Sequence, residues 1–230
     1  MTKRLSLPTT LTPDPAALMA AVDNASPPLP SAERPVTEQV FIDSNQPARG
    51  GREREHLARY EFAARHLPAC QQVLDCACGS GYGAAVLAMR ADRVVGVDNA
   101  PEAIKFARRH FGSREVTFHQ GDMTQLRFAA NVFDGVVSLG MLEQMPREDA
   151  TEFLRGIIRW LNPGGVMVIS FNLGIDTGAD KVTRRDLEAL LSRCVKDCSV
   201  SLYRQQGGEF TPLQENQEGV CVVVARKHAD

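Results

Sequence analysis

The sequence predicts a doubly wound α/β fold, in which a seven-stranded, mostly parallel sheet carries helices on both faces. Three observations lead there. From about residue 51 onward, short apolar runs alternate with segments of helical periodicity, the pattern of βαβ units. The strand at 93–97 is continuously apolar after Arg93, and the one at 166–171 is apolar apart from Ser170, as expected of strands covered on both faces. An apolar run also ends in Asp75, passes through Gly79, Gly81 and Gly83, and enters Ala84-Ala85-Val86-Leu87-Ala88. That succession reads as strand, tight turn and helix start.

The first 50 residues stand apart. They hold eight of the 13 prolines, and Ser26-Pro27-Pro28-Leu29-Pro30 reads as a polyproline-like linker. Residues 1–50 are expected to be a proline-rich tail, partly disordered or acting as a lid, ahead of one domain over 51–230. Leu57, Tyr60, Ala64 and Leu67 share a stripe that predicts a helix over 53–67. A strand at 72–76 and a crossover helix at 81–90 follow, then a strand at 93–97. Asn99 is expected to cap the next helix, with Pro101 in its first turn and Glu102 completing a capping box. Strands are expected at 116–118 and 133–139, and a helix over 146–161 buries Phe153, Leu154, Ile157, Ile158 and Leu161. Asn162-Pro163-Gly164-Gly165 turns the chain into a strand at 166–171. Thr183 caps a helix striped by Leu187, Leu190, Leu191 and Cys194. Two last strands, 199–204 and 220–225, close the sheet with an antiparallel edge. The polar stretch 205–219 between them is too long for a tight hairpin turn.

Composition narrows the function. Net charge is −2 and no block of Lys or Arg occurs, which argues against an extended nucleic-acid footprint. No apolar run approaches the roughly 20 residues that cross a bilayer. The start, Met1-Thr2-Lys3-Arg4-Leu5-Ser6-Leu7-Pro8, lacks the apolar core of a secretion signal. A soluble cytoplasmic protein is expected. The six cysteines lack the paired spacings of a zinc site and read as buried thiols, so no metal site is expected.

The glycine loop predicts a nucleotide-type cofactor. A helix N-terminus attracts an anionic group, and glycines let a ligand approach the backbone. The dinucleotide fingerprint G-x-G-x-x-G asks for glycine at 84, where alanine stands. Charge discriminates further. Asp75, directly before the loop, would repel a pyrophosphate and suits a ligand with an ammonium group. S-adenosylmethionine carries an α-amino group, a carboxylate and a sulfonium, and no phosphate. Asp98 ends the second strand 19 residues after Gly79, where a carboxylate takes both ribose hydroxyls of either cofactor. After the third strand, Asp122 is placed for an adenine amino group and the Met123 N–H for the ring.

These residues resemble the class I S-adenosylmethionine-dependent methyltransferases. The matching segments are VLDCACGSGYG at 73–83, VVGVD at 94–98, GDM at 121–123, FDGVVSLGMLEQM at 133–145 and LNPGG at 161–165, in the family's order. The resemblance implies strand order 3-2-1-4-5-7-6 with strand 7 antiparallel. Upstream, Glu33-Arg34, Glu55-His56, Arg59-Tyr60 and Phe62-Ala63 are similar to a segment of bacterial methyltransferases associated with glycan or O-antigen biosynthesis. By resemblance, Asp75, Cys78, Gly79 and Gly81 hold the methionine end of the cofactor, and Arg59 and Tyr60 approach from the preceding helix. Asp98 and Asn99 hold the ribose, Asp122 and Met123 the adenine, and Ser138 and Leu139 close the site. Relatives often read Glu-His where this chain has Glu143-Gln144, which removes a histidine from that place.

Methyl transfer is an in-line displacement in which alignment and desolvation supply much of the catalysis. An alcohol acceptor also wants a proton acceptor. His56, at i, i+4 from Tyr60, is the first candidate and Glu143 the second. The expected function is methylation of an oxygen, less readily a nitrogen, on a small molecule or glycan, with S-adenosylhomocysteine as product. The alternatives are a non-catalytic S-adenosylmethionine-binding module, a protein or RNA methyltransferase, and an NAD-type oxidoreductase that Asp75 disfavours.

Overall fold

The computed structural model describes residues 50–142, 145–174 and 183–229. The expectations for the proline-rich tail over residues 1–49, and those for Glu143 and Gln144, lie outside the described residues.

Among the described residues eight strands form one sheet: β1 (Cys70–Cys76), β2 (Ala91–Asp98), β3 (Val116–Gln120), β4 (Phe133–Ser138), β5 (Leu161–Leu173), β6 (Cys198–Gln206), β7 (Glu209–Pro212) and β8 (Gly219–Lys227). Their order is β3-β2-β1-β4-β5-β8-β6-β7. β1 pairs in parallel with β2 and β4, β2 with β3, and β4 with β5. β8 runs antiparallel to both β5 and β6. Among the described residues five helices flank the sheet: α1 (Gly51–His66), α2 (Tyr82–Leu87), α3 (Pro101–His110), α4 (Arg147–Trp160) and α5 (Arg184–Cys194). Among the described residues no helix is long and apolar enough to cross a membrane.

The continuous apolar runs are explained by two core layers. Val73, Val94, Val137 and Val168 face Tyr60, Leu87 and Ile104 of α1, α2 and α3. Their strand neighbours Leu74, Val95, Val136 and Ile169 face Phe153, Leu154 and Ile157 of α4 and Leu187 of α5. Side chains alternate across a strand, so a strand covered twice must be apolar at every position. Each large side chain buried this way stabilises the fold by about 1.5–3 kcal/mol. Thr183 caps α5 as expected, in a reciprocal box with Asp186.

Two expectations need correction. The sheet has eight strands, not seven, because the polar stretch after β6 folds back on it. Gly207 turns the chain at φ +58, and Gln206 pairs with Glu209. The added hairpin straddles the sheet edge: Phe210 stacks on Phe62 of α1 at 4.1 Å, while Leu213 enters the opposite core layer. The second correction concerns Asn99, which does not cap α3. The N-cap is Ala100 without a side-chain bond, and the Asp98 carboxylate accepts the Ala100 N–H instead at 2.9 Å. The helix starts one residue later than expected, so Ala100 takes the N-cap position and the Asp98 carboxylate bonds the backbone two residues on, as an aspartate does in an Asx turn.

Candidate functional site

The carboxyl ends of β1 to β4 lie side by side, and the loop from Ala77 to Gly81 crosses them. Three of its residues are left-handed: Ala77 at φ +59, Gly79 at φ +53 and Gly81 at φ +89. The loop is pinned to β2, since the Cys78 N–H donates to the Val97 carbonyl (3.1 Å) and the Gly79 N–H to Asp98 Oδ2 (2.8 Å). At Gly81 a Cβ would lie 2.6 Å from Ala107 and 2.7 Å from Phe118, so only glycine fits. At Gly79 a Cβ would meet nothing within 4 Å, which leaves that side of the loop open to a ligand.

Ala77 pays for its conformation. A left-handed residue with a Cβ is strained by about 1–2 kcal/mol. Ala77→Gly is therefore expected to raise stability by about 1 kcal/mol, after the added freedom of the unfolded chain is subtracted. Thermal unfolding checks this: Tm should rise by roughly 2–4 °C.

The second wall comes from α1. Tyr60 is buried, and its hydroxyl donates to Asp75 Oδ1 at 3.2 Å. Asp75 is itself fully buried, and its Oδ2 accepts no hydrogen bond from any described residue. Burial pushes the Asp75 carboxyl well above the usual carboxylate range; Tyr60 opposes that shift and Asp98 adds to it. Burial also pushes the Tyr60 hydroxyl up, and the neighbouring Asp75 adds to the rise. His56, Tyr60 and Tyr82 pack as three mutually tilted rings with centroids 5.5–5.8 Å apart. His56 Nδ1 is hydrogen-bonded to the Tyr82 hydroxyl. Burial, and then the charge of Arg59, push His56 down to about 3, so its ring is neutral at physiological pH. Arg59 is buried beside it.

The remaining candidates are placed as follows. Asp98 holds one backbone N–H on each carboxylate oxygen, which leaves each oxygen a further lone pair. Burial raises its pKa against those hydrogen bonds. Asp122 caps a 3-10 turn, Met123–Gln125, accepting the Thr124 N–H and hydroxyl at 2.9 and 2.8 Å. Met123 is buried beside it, whereas the Asn99 side chain is exposed. Ser138 ends β4 opposite Cys76, and its buried hydroxyl has no partner among the described residues. Leu139 is buried. The Cys78 thiol is buried and held protonated, its pKa raised first by burial and then by Asp75 and Asp98. His56, Arg59, Tyr60, Asp75, Cys78, Gly79, Gly81 and Asp98 thus converge, while Asp122, Met123 and Asn99 lie further along the strand ends.

A family profile described as a methyltransferase domain matches residues 73–165. The fatty-acid O-methyltransferase of Mycolicibacterium smegmatis is 35% identical over 121 residues, 49% of this chain and 43% of that protein. The ubiquinone biosynthesis O-methyltransferase of Methylocella silvestris is 30% identical over 181 residues, 70% of this chain and 69% of that protein. This chain belongs to the class I S-adenosylmethionine-dependent methyltransferases. The crystal structure of a TehB-like methyltransferase from Corynebacterium glutamicum shares the fold, with a TM-score of 0.59 at 22% identity, covering 74% of this chain and 87% of that one. The chain spans about half the length of several curated relatives it matches. The family's cofactor is S-adenosylmethionine. Two features of this chain fit it: a buried carboxylate oxygen on Asp75 without a partner among the described residues, as an ammonium needs, and open space at Gly79 in the loop that follows.

Two residues of this site carried no usable sequence signal. Ala77 is ordinary by type and unusual only in its backbone. Tyr82 reads as a loop aromatic until the fold brings it to His56, 26 positions away.

Proposed function

We propose that this protein transfers the methyl group of S-adenosylmethionine to an acidic oxygen of a small molecule. The observation that carries this reading is Asp75 Oδ2, buried with no hydrogen-bond partner among the described residues, on the strand that leads into the glycine loop. When bound, the cofactor supplies an electrophilic methyl on a sulfonium whose leaving group is a neutral thioether. Asp75 accepts its ammonium group, with Tyr60 steadying the other carboxylate oxygen. Gly79, Gly81 and Cys78 form the floor under the methionine end, with Arg59 beside it, and the Ser138-Leu139 backbone closes it. Asp98 accepts the ribose hydroxyls on its free lone pairs, next to Asn99, and Asp122 and Met123 edge the adenine.

The choice of oxygen follows from His56. A ring pushed down to about 3 takes a proton poorly from an alcohol, and its Nδ1 is engaged by Tyr82. His56 therefore orients rather than deprotonates in this reading. Glu143, the second candidate, remains proposed as an orienting carboxylate. An acceptor already ionised near neutral pH, a carboxylate or an acidic phenol, needs no base. The names of the two O-methyltransferase relatives support that class. A glycan hydroxyl, suggested by the upstream resemblance, would need a proton acceptor His56 does not supply.

The test is turnover. With S-adenosylmethionine and separate pools of fatty acids, phenols and sugars, S-adenosylhomocysteine is expected to accumulate with the acidic-oxygen pools. Intact cofactor binding without turnover on any pool would point to a non-catalytic binding module instead.

A further inference from the structure

The sheet edge beyond β8 contains an amide whose contacts reach back to the candidate site. β6 is antiparallel to β8, which is antiparallel to β5, so β6 runs with β5, β4 and β1. Its carboxyl end therefore lies on the same edge of the sheet as Asp75. Gln205 stands there, 8% exposed. Its Nε2 donates to two carbonyls: Glu55 in the first half of α1, at 2.8 Å, and Gly207 in the β6–β7 turn, at 2.7 Å. The first contact joins residues 150 apart in the chain. Its Oε1 is buried and accepts no hydrogen bond from any described residue. An amide kept in such a place, with its oxygen unsatisfied, is serving through its two donated hydrogens.

What those hydrogens hold is the stretch of α1 that carries His56, Arg59 and Tyr60. The β6–β7 hairpin grips the same helix about two turns beyond Glu55, where Phe210 stacks on Phe62 and the Tyr203 ring meets Phe62 edge-on at 5.1 Å. On its other side α1 meets the start of α2, where Tyr60 fills the space that Gly83 leaves open. The helix is thus clamped between the cofactor strands and the added hairpin.

We propose that Gln205 is a positioning residue of the cofactor site: it fixes the first turns of α1 so that Tyr60 stays on Asp75. This rests on the proposal that Asp75 and Tyr60 hold the cofactor's ammonium end. Gln205→Met keeps the volume and removes both donors. Gln205→Glu replaces them with a charge facing two carbonyl oxygens, a charge that acid neutralises.

The experiment combines S-adenosylhomocysteine calorimetry with hydrogen exchange of the ligand-free protein. Gln205→Met is expected to bind about fivefold more weakly than wild type, the loss of one or two buried hydrogen bonds. Gln205→Glu is expected to bind more weakly still at pH 8 and to recover toward the Gln205→Met value at pH 5.5, each relative to wild type at the same pH. A role in folding alone would speed exchange in β1 and β4 as well as in α1. In both variants the α1 amides over residues 55–60 should exchange faster while those of β1 and β4 keep wild-type rates. Wild-type affinity in both variants, or unchanged exchange in α1, overturns the proposal. If wild type itself binds no S-adenosylhomocysteine, the cofactor reading fails, and α1 exchange in Gln205→Met still decides whether Gln205 clamps the helix.

Discussion

Asp75→Asn is expected to gain thermal stability and to lose its cofactor. Both effects come from one buried carboxyl. In the folded chain Asp75 holds its proton to higher pH than in the unfolded chain, because burial disfavours the charge. Below the ordinary carboxylate range both states are protonated, and the group leaves stability unchanged. Above it the unfolded chain ionises freely, so wild-type stability falls with rising pH until the folded carboxyl itself ionises. Asparagine removes that fall. Relative to wild type, Tm should rise by roughly 2–4 °C at pH 8, the shift that about 1 kcal/mol produces in a chain of this size, and much less at pH 4. Binding moves the other way. An ammonium beside Oδ2 favours the ionised carboxylate, so wild-type affinity should weaken as pH falls through the raised pKa. Losing one partner of a buried charge pair costs about 3 kcal/mol or more, which is at least about a hundredfold in affinity. Differential scanning calorimetry and S-adenosylhomocysteine titration of the same preparation check both halves. A variant that is less stable and binds normally would show Asp75 to be a structural residue.

Gly83→Ala is expected to be the most damaging single methyl in the glycine loop. A Cβ there would lie 2.1 Å from Tyr60 Cζ and 2.3 Å from both ring Cε atoms. The ring cannot step aside, because His56 and Tyr82 pack against it and its hydroxyl is tied to Asp75. Overpacking of this kind costs about 3 kcal/mol. That corresponds to a fall in Tm of roughly 6–12 °C, read by thermal unfolding. Cofactor affinity should drop with it, since α1 must move off Asp75. Trimming the ring in a Gly83→Ala, Tyr60→Ala double variant should recover part of the stability, a coupling that a double-mutant cycle measures. Gly79→Ala is the control. It has open space at the Cβ position, so it should lose only the roughly 1–2 kcal/mol of a left-handed alanine.

The parallel half of the sheet was legible because strands covered on both faces leave long apolar runs, and Asp75 and Asp98 were legible because strand ends in this fold meet the ligand. β7 was not, since Glu209-Phe210-Thr211-Pro212 has one large apolar side chain and shows no alternation. Asn99 and Asp98 both suit a helix cap, and only the chain's path shows that Asp98 reaches the Ala100 N–H. The His56–Tyr82 and Gln205–Glu55 hydrogen bonds join residues 26 and 150 positions apart, a pairing that no local pattern encodes. His56 illustrates the gap most clearly. Its helical spacing from Tyr60 suggested a base, but burial, which spacing does not report, leaves it a poor one.

If the strand-end site holds S-adenosylmethionine through Asp75, the wild-type protein discriminates between nucleotide cofactors. Isothermal titration at pH 8 with S-adenosylhomocysteine, alongside NAD, measures this. Saturable one-to-one binding of S-adenosylhomocysteine and no heat from NAD are expected. No binding of S-adenosylhomocysteine to the folded protein, or binding of NAD in its place, would contradict it.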